Sequence, residues 1–268
     1  MRLVVLADNN TLIDNYYMGE PAVCYYIEDG DAKILLDAGY SDLFIKNAHL
    51  LGVDLHQVTH VALSHGHNDH SRGLAFLHEH VLPRKIAVVA HPDALAERHD
   101  NGTPIGCPLG RAFLEAQYAL TLTREPFAFG ENLVFLGEIP SYNDFERTKP
   151  MGVMRDKNGE RDDFVLDDSA MACTCGDGLF IITGCSHSGI CNIIEHAKRV
   201  CGKEKILGVI GGFHLFEVSE QLTRTIRYFR DNGIDTLYPC HCVSFAAKAE
   251  IHKHIPVRDV GVGLEITA

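Results

Sequence analysis

Val58-Thr59-His60-Val61-Ala62-Leu63-Ser64-His65-Gly66-His67-Asn68-Asp69-His70 is the stretch on which the reading of this chain turns. The apolar, β-branched run Val58 to Leu63 predicts a strand, and a polar cluster begins at Ser64 as that strand ends. His65 and His67 stand two residues apart, so in extended backbone they point the same way and can grip one metal ion. Gly66 between them permits a tight backbone path. Asp69 and His70, at the start of the next expected helix, can face a second metal. The alternative is a set of solvated loop histidines beside a helix-capping Asp. Three histidines and an acid within six residues at a strand end favour the metal site. Imidazole and carboxylate donors suit divalent ions, with Zn as the first candidate and Fe or Mn behind it.

Upstream, strands are expected at Leu3 to Ala7, Ala22 to Ile27 and Ala32 to Leu36, with Asp29-Gly30 as the hairpin turn between the last two. A helix at Asp42 to Leu51 leads into the deciding strand. Downstream, a helix at Arg72 to His80 precedes a strand at Lys85 to Ala90. Residues 91–126 carry Gly102, Pro104, Gly106, Pro108 and Gly110 and one expected helix at Arg111 to Ala119. They read as a site-covering insertion, not a second domain. The charged, glycine-bearing segment 148–163 reads as a mobile loop. A second strand-rich half follows, with strands at Ala170 to Cys175, Leu179 to Thr183, Ile206 to Ile210, Thr236 to Tyr238 and Val260 to Ile266. Helices at Gly189 to Cys201, Ser219 to Asn232 and Phe245 to His252 separate them. Strands grouped with helices in two similar halves predict one α/β (α+β) domain over 1–268. Its expected form is a four-layer αβ/βα sandwich of two mixed sheets with helices outside.

Bulk composition narrows the partners. The chain has 268 residues, 46% of them hydrophobic, which is ample for a core and rules out a disordered class. Its formal charge is -12, from 24 Lys+Arg against 36 Asp+Glu. That balance argues against nucleic acid and anionic membrane surfaces and leaves a small-molecule substrate as the expected partner. Nine cysteines lack the spacing of a secreted disulfide scaffold. The start, Met1 to Asp8, reads as a strand rather than a leader peptide, and no apolar run has the length of a bilayer span. A reducing cytoplasm is the expected compartment.

His65-Gly66-His67-Asn68-Asp69-His70 resembles the HxHxDH motif of the metallo-β-lactamase superfamily, and Leu35-Leu36-Asp37-Ala38-Gly39 resembles the strand-end acid that supports its metal site. More narrowly, the chain is similar to a dihydropteroate-synthase-like branch, which includes pterin–ribofuranosylaminobenzene phosphate synthases. The matching pieces are Asp8-Asn9-Asn10-Thr11, Ser64 to His67, Gly137-Glu138-Ile139-Pro140, Thr183-Gly184-Cys185-Ser186-His187, Gly211-Gly212-Phe213-His214-Leu215 and Pro239-Cys240-His241-Cys242. Departures from the branch fall at Ser71-Arg72-Gly73, Ser141 and Val243-Ser244.

The resemblance implies two metals held by His65, His67, Asp69, His70, His187 and His241. Cys185 stands where most relatives place a bridging acid. Either its thiolate bridges the metals or it is a bystander while His187 reaches in, and the second arrangement is the expectation. His214 either lines the substrate pocket, with a catalytic role beside Asp69, or is a satisfied core histidine; the pocket is the expectation. His60, His78, His80 and His196 are expected at the core edge or surface, and Cys240 and Cys242 as small buried hydrophobes. The function this implies is a hydrolase using a metal-activated hydroxide on a small phosphorylated or ester-like metabolite. Metal-assisted group transfer on a pterin-like substrate and iron-dependent redox chemistry on the same fold stand as alternatives.

Overall fold

The computed structural model describes residues 1–81, 84–156 and 159–268. Two large sheets face each other. In the first, the strand order is Glu265–Thr267, Arg2–Ala7, Cys24–Asp29, Ala32–Leu36, His60–Ala62, Ala87–Ala90, Ala119–Leu122. The second runs Leu237–Pro239, Ile206–Gly211, Gly178–Thr183, Ala170–Cys175, Leu133–Phe135, Phe127–Ala128.

The period of two along each strand builds the layers. Leu3 and Val5 enter the core between the sheets, where they meet Phe135, Met171, Phe180 and Ile182. Val4 and Leu6 point the other way, onto a second core with Phe44, Ala48, Leu74 and Leu77 of the flanking helices Leu43–Leu50 and Leu74–Val81. The second sheet repeats the device. Ala170, Ala172, Leu179 and Ile181 face helices Ile190–Cys201, Glu220–Asp231 and Phe245–His252. Burial on both faces explains why these strands are continuous apolar runs. Two facing mixed sheets with helices outside form the four-layer arrangement that the sequence predicts.

Some expectations needed correction. Residues 91–126 are more strand-bearing than their Gly and Pro content suggested. They contribute Ala119–Leu122, parallel to Ala87–Ala90 in the first sheet, as well as Glu97–Asp100 and Thr103–Pro104. The segment 148–163 is no bare loop. Val153–Asp156 pairs with Gly159–Asp162 on one side and with Glu97–Asp100 on the other, in a third, four-stranded sheet. Polar strands of this kind carry no period-2 apolar signal, so pairing between distant segments decided their structure. The expected helix at Arg72 to His80 forms as Leu74–Val81, and a separate helical turn, Asn68–Ser71, carries Asp69 and His70 ahead of it. Only Glu265–Thr267 of the expected last strand forms.

Topology sets where chemistry can occur. Ala32–Leu36, His60–Ala62 and Ala87–Ala90 run parallel, as do Gly178–Thr183, Ile206–Gly211 and Leu237–Pro239. Asp37, Ser64-His65, His187, His214 and His241 all follow the carboxyl ends of these strands. Open α/β sheets place their ligand crevices at such ends.

Candidate metal centre

The deciding motif turns sharply as its strand ends. Gly66 has no room for a side chain, because a Cβ there would sit 1.9 Å from the Ala94 carbonyl oxygen. Its N–H donates to Asp167 Oδ2 at 2.8 Å. Asp167 is in turn held by Arg98, a fully buried guanidinium whose Nη1 donates to the same oxygen at 3.0 Å and whose Nε lies 2.9 Å from Asp163. Desolvation works against that charge, but the two carboxylates outweigh it and raise the Arg98 pKa.

Three histidines are anchored through Nδ1. Asp37 accepts from Ser64 N at 2.7 Å and from Ser64 Oγ at 2.7 Å, so the Ser64 oxygen is left to accept from His65 Nδ1 at 3.0 Å. His70 Nδ1 lies 2.6 Å from Asp37 Oδ2, and His241 Nδ1 lies 3.0 Å from Asn9 Oδ1. An imidazole that donates from Nδ1 presents a lone pair at Nε2, the form that ligates a metal. Asp8 completes the support by accepting the His241 backbone N–H at 3.0 Å.

Those nitrogens converge. His65 Nε2 and His67 Nδ1 are 3.0 Å apart, and the His187 ring lies 4.8 Å and 4.9 Å from the His65 and His67 rings. Asp69 Oδ2 is 3.4 Å from both His70 Nε2 and His241 Nε2. The donor atoms of His65, Cys185 and His187 lie within 4.8 Å of one another, and so do those of His70, Cys185 and His241. Cys185 therefore sits among both groups, with its Sγ 3.3 Å from His70 Nε2.

The chemistry of these donors matches a cation. His187 Nδ1 and Nε2 and His67 Nε2 are buried without hydrogen-bond partners, an expensive state for a polar atom. Burial pushes His65 and His187 well below the usual imidazole range and His67 down to about 4. Neutral imidazoles ligate metals. His70 differs: desolvation opposes its charge, but Asp69 and Asp37 outweigh it and hold its pKa well above the usual range. The donor set thus fits divalent ions shared between two neighbouring clusters.

His214 takes a left-handed backbone, φ +49°, and its ring stands 4.3 Å from that of His187 and 4.7 Å from Phe216. It borders a cleft of about 520 Å³ that also reaches Tyr40, Asp69, Cys185, His241 and Cys242. His60, His78, His80 and His196 lie apart from the cluster, against Phe129, Phe113, His56 and Tyr142 respectively. Cys240 is buried with Tyr25 Oη 3.0 Å away, whereas Cys242 is only half-buried and borders the cleft. The roles of Arg98, Asp163 and Asp167 had no local signal in the sequence, and Asp8 and Asn9 had none beyond their place in a piece that matches the branch. Each depends on a partner many residues away.

Donors at the strand ends of a four-layer sandwich define a class, and the family profile of the metallo-β-lactamase superfamily matches residues 17–106 of this chain. The chain is 27% identical to a 7,8-dihydropterin-6-methyl-4-(β-D-ribofuranosyl)-aminobenzene-5'-phosphate synthase of Methanocaldococcus jannaschii, covering 92% of this chain and 89% of that one. An uncharacterised protein of the same organism is 29% identical, over 92% of each chain. The crystal structure of Tm1679, a metal-dependent hydrolase of the β-lactamase superfamily, superposes with a TM-score of 0.85 at 28% identity, covering 100% of this chain and 99% of that one. Among the described residues no helix is long and apolar enough to cross a membrane.

Proposed function

We propose that this protein is a metal-dependent hydrolase of a small phosphorylated or ester-like metabolite, acting in the cytoplasm with two divalent ions, Zn first among them. The observation that carries the reading is the set of partnerless buried nitrogens on His67 and His187 within a convergent donor cluster. His65, His67 and His187 would hold one ion, Asp69, His70 and His241 the other, with Cys185 between them. Ions bound there would activate water and polarise a carbonyl or phosphoryl oxygen.

The chain's own groups do the rest. Asp69 stays ionised because His70 and His241 outweigh the desolvation that opposes its charge, and they hold its carboxyl well below the ordinary range. An ionised carboxylate on the cleft can orient the attacking nucleophile. His214 stands over the cleft where it can donate to, or accept from, the reacting group. Asp37, Asn9 and Asp8 fix the ring orientations from behind.

Similarity to the pterin phosphate synthase supports a second reading, group transfer on a pterin-like substrate at the same centre. One experiment separates the two. The metal-loaded protein is incubated with a panel of phosphate and carboxylate esters and with a dihydropterin diphosphate, and the products are resolved by mass spectrometry. Release of alcohol and acid from an ester supports hydrolysis. Turnover of the pterin alone, with transfer to an added amine or phenol acceptor, would replace that reading with the second.

A further inference from the structure

The loop after Pro140 is pinned more firmly than a solvent loop requires. Glu146 is buried and accepts from Cys191 N at 3.0 Å and Asn192 N at 2.9 Å, at the first turn of helix Ile190–Cys201. Asn143 Nδ2 also donates to it, at 2.7 Å. The next residue, Arg147, has φ +51°, a region non-glycine residues seldom occupy. Its Nη1 donates to the Ile139 carbonyl at 3.1 Å and to Ser188 Oγ at 3.3 Å, and its Nη2 donates to Ser141 Oγ at 2.7 Å. All three partners are neutral. Arg98, by contrast, is buried against two carboxylates.

Arg147 thus holds a half-buried positive charge with no carboxylate among its hydrogen-bond partners, although Asp168, Glu138 and Glu146 act on it at longer range, beside a cavity of about 220 Å³. Thr148, Lys149 and Ser186 line the same cavity, and His187 and His214 form the wall it shares with the metal cleft. Among the described residues no carboxylate lines it. In a chain of net charge -12, a cation-lined, carboxylate-free cavity next to the donor cluster is a local reversal of field.

We infer that this cavity is an anion subsite that takes a phosphate-monoester group of the substrate. Arg147 and Lys149 supply the charge, and Thr148 supplies a hydroxyl donor. The rest of the substrate then crosses the His187–His214 wall toward the metal donors. The inference rests on the proposed small-molecule reading and sets the class of its substrate. A fixed guanidinium and a mobile ammonium suit the several oxygens of a phosphate dianion better than a single carboxylate.

The test is calorimetric titration of the metal-loaded protein with inorganic phosphate and, separately, with acetate. Arg147→Gln and Lys149→Gln are compared with Arg155→Gln, whose guanidinium pairs with Glu97 in the third sheet. The expected result is about tenfold weaker phosphate binding in each of the first two, with Arg155→Gln unchanged. Lys149 is exposed, so its variant keeps the test valid if Arg147→Gln disturbs the loop. Phosphate binding should survive chelation of the metals. Equal affinity in all variants overturns the subsite, as does phosphate binding that vanishes on chelation and ignores both substitutions. Acetate binding as tight as phosphate overturns the phosphate assignment. Phosphate held by Arg147 in a protein that binds no metal would leave the subsite standing while the enzymatic reading falls.

Discussion

His70 Nδ1 lies 2.6 Å from Asp37 Oδ2, and both side chains are fully inaccessible to solvent. Asp37 spends its remaining acceptor capacity on Ser64 N and Ser64 Oγ, each at 2.7 Å, so one carboxylate orients His65 and His70 together. Asp37→Asn keeps the shape but turns an amide N–H toward groups that already donate. The expected outcome is a roughly 10- to 100-fold loss of metal affinity, measured by competition with a chromophoric chelator. Unchanged affinity would mean that Asp37 orients neither ring.

Metal content follows from the donor clusters. Purified protein should carry up to two ions per chain, and chelation should remove its activity. Elemental analysis should show His65→Ala losing an ion and His78→Ala, whose ring packs on Phe113, losing none. Protein that stays metal-free after addition of Zn, Mn and Fe contradicts the assignment.

Cys185 can be followed by its own spectrum. Cobalt(II)-loaded protein should show a sulfur-to-metal charge-transfer band in the near ultraviolet, because the Cys185 sulfur lies among both donor groups. Cys185→Ser should abolish that band. A band that persists in Cys185→Ser and disappears in Cys242→Ser would transfer the thiolate role to its neighbour.

His214 borders the cleft without belonging to either donor group. His214→Ala should lower turnover while metal content and melting temperature stay close to those of the parent. A large fall in melting temperature with unaltered turnover would make it a packing residue.

The Arg98–Asp167 pair is a separate matter of stability. Asp167→Ala leaves a buried guanidinium with Asp163 alone and strips Gly66 N–H of its acceptor. The expected cost is about 3–5 kcal/mol in denaturant unfolding. A cost below about 1 kcal/mol would show that water or Asp163 takes over the charge.

Much of this was legible because it is local. The Val58-to-His70 stretch shows in a few residues where a strand stops and where donors start, and period-2 runs such as Ala170–Cys175 reveal both-face burial. The four-stranded sheet of Glu97–Asp100, Thr103–Pro104, Val153–Asp156 and Gly159–Asp162 was hidden because its strands show no regular alternation of apolar and polar residues. Asp8 and Asp167 were hidden for a different reason. Each is an ordinary acid in sequence, and its role appears only when the fold brings His241 N–H or Gly66 N–H to it. The place of Cys185 between two clusters depends likewise on how Thr183-Gly184-Cys185 meets the loop after His60–Ala62. A Cβ on Gly184 would come within 2.2 Å of Ser64 Oγ, so the two loops touch only because that residue has none.

The two sheets each contribute half of the donor set. His65 to His70 hang from the first sheet, while Cys185, His187 and His241 hang from the second. An ion gripped by both is therefore a tie across the sandwich, closing loops of more than a hundred residues much as a disulfide would. Such a tie anchors one rim of the interface between the sheets, while at the opposite rim Asn132 Nδ2 donates to Asp29 Oδ2 at 3.0 Å. In mechanical terms the molecule is a book bound along one edge, and the chemistry sits in its spine.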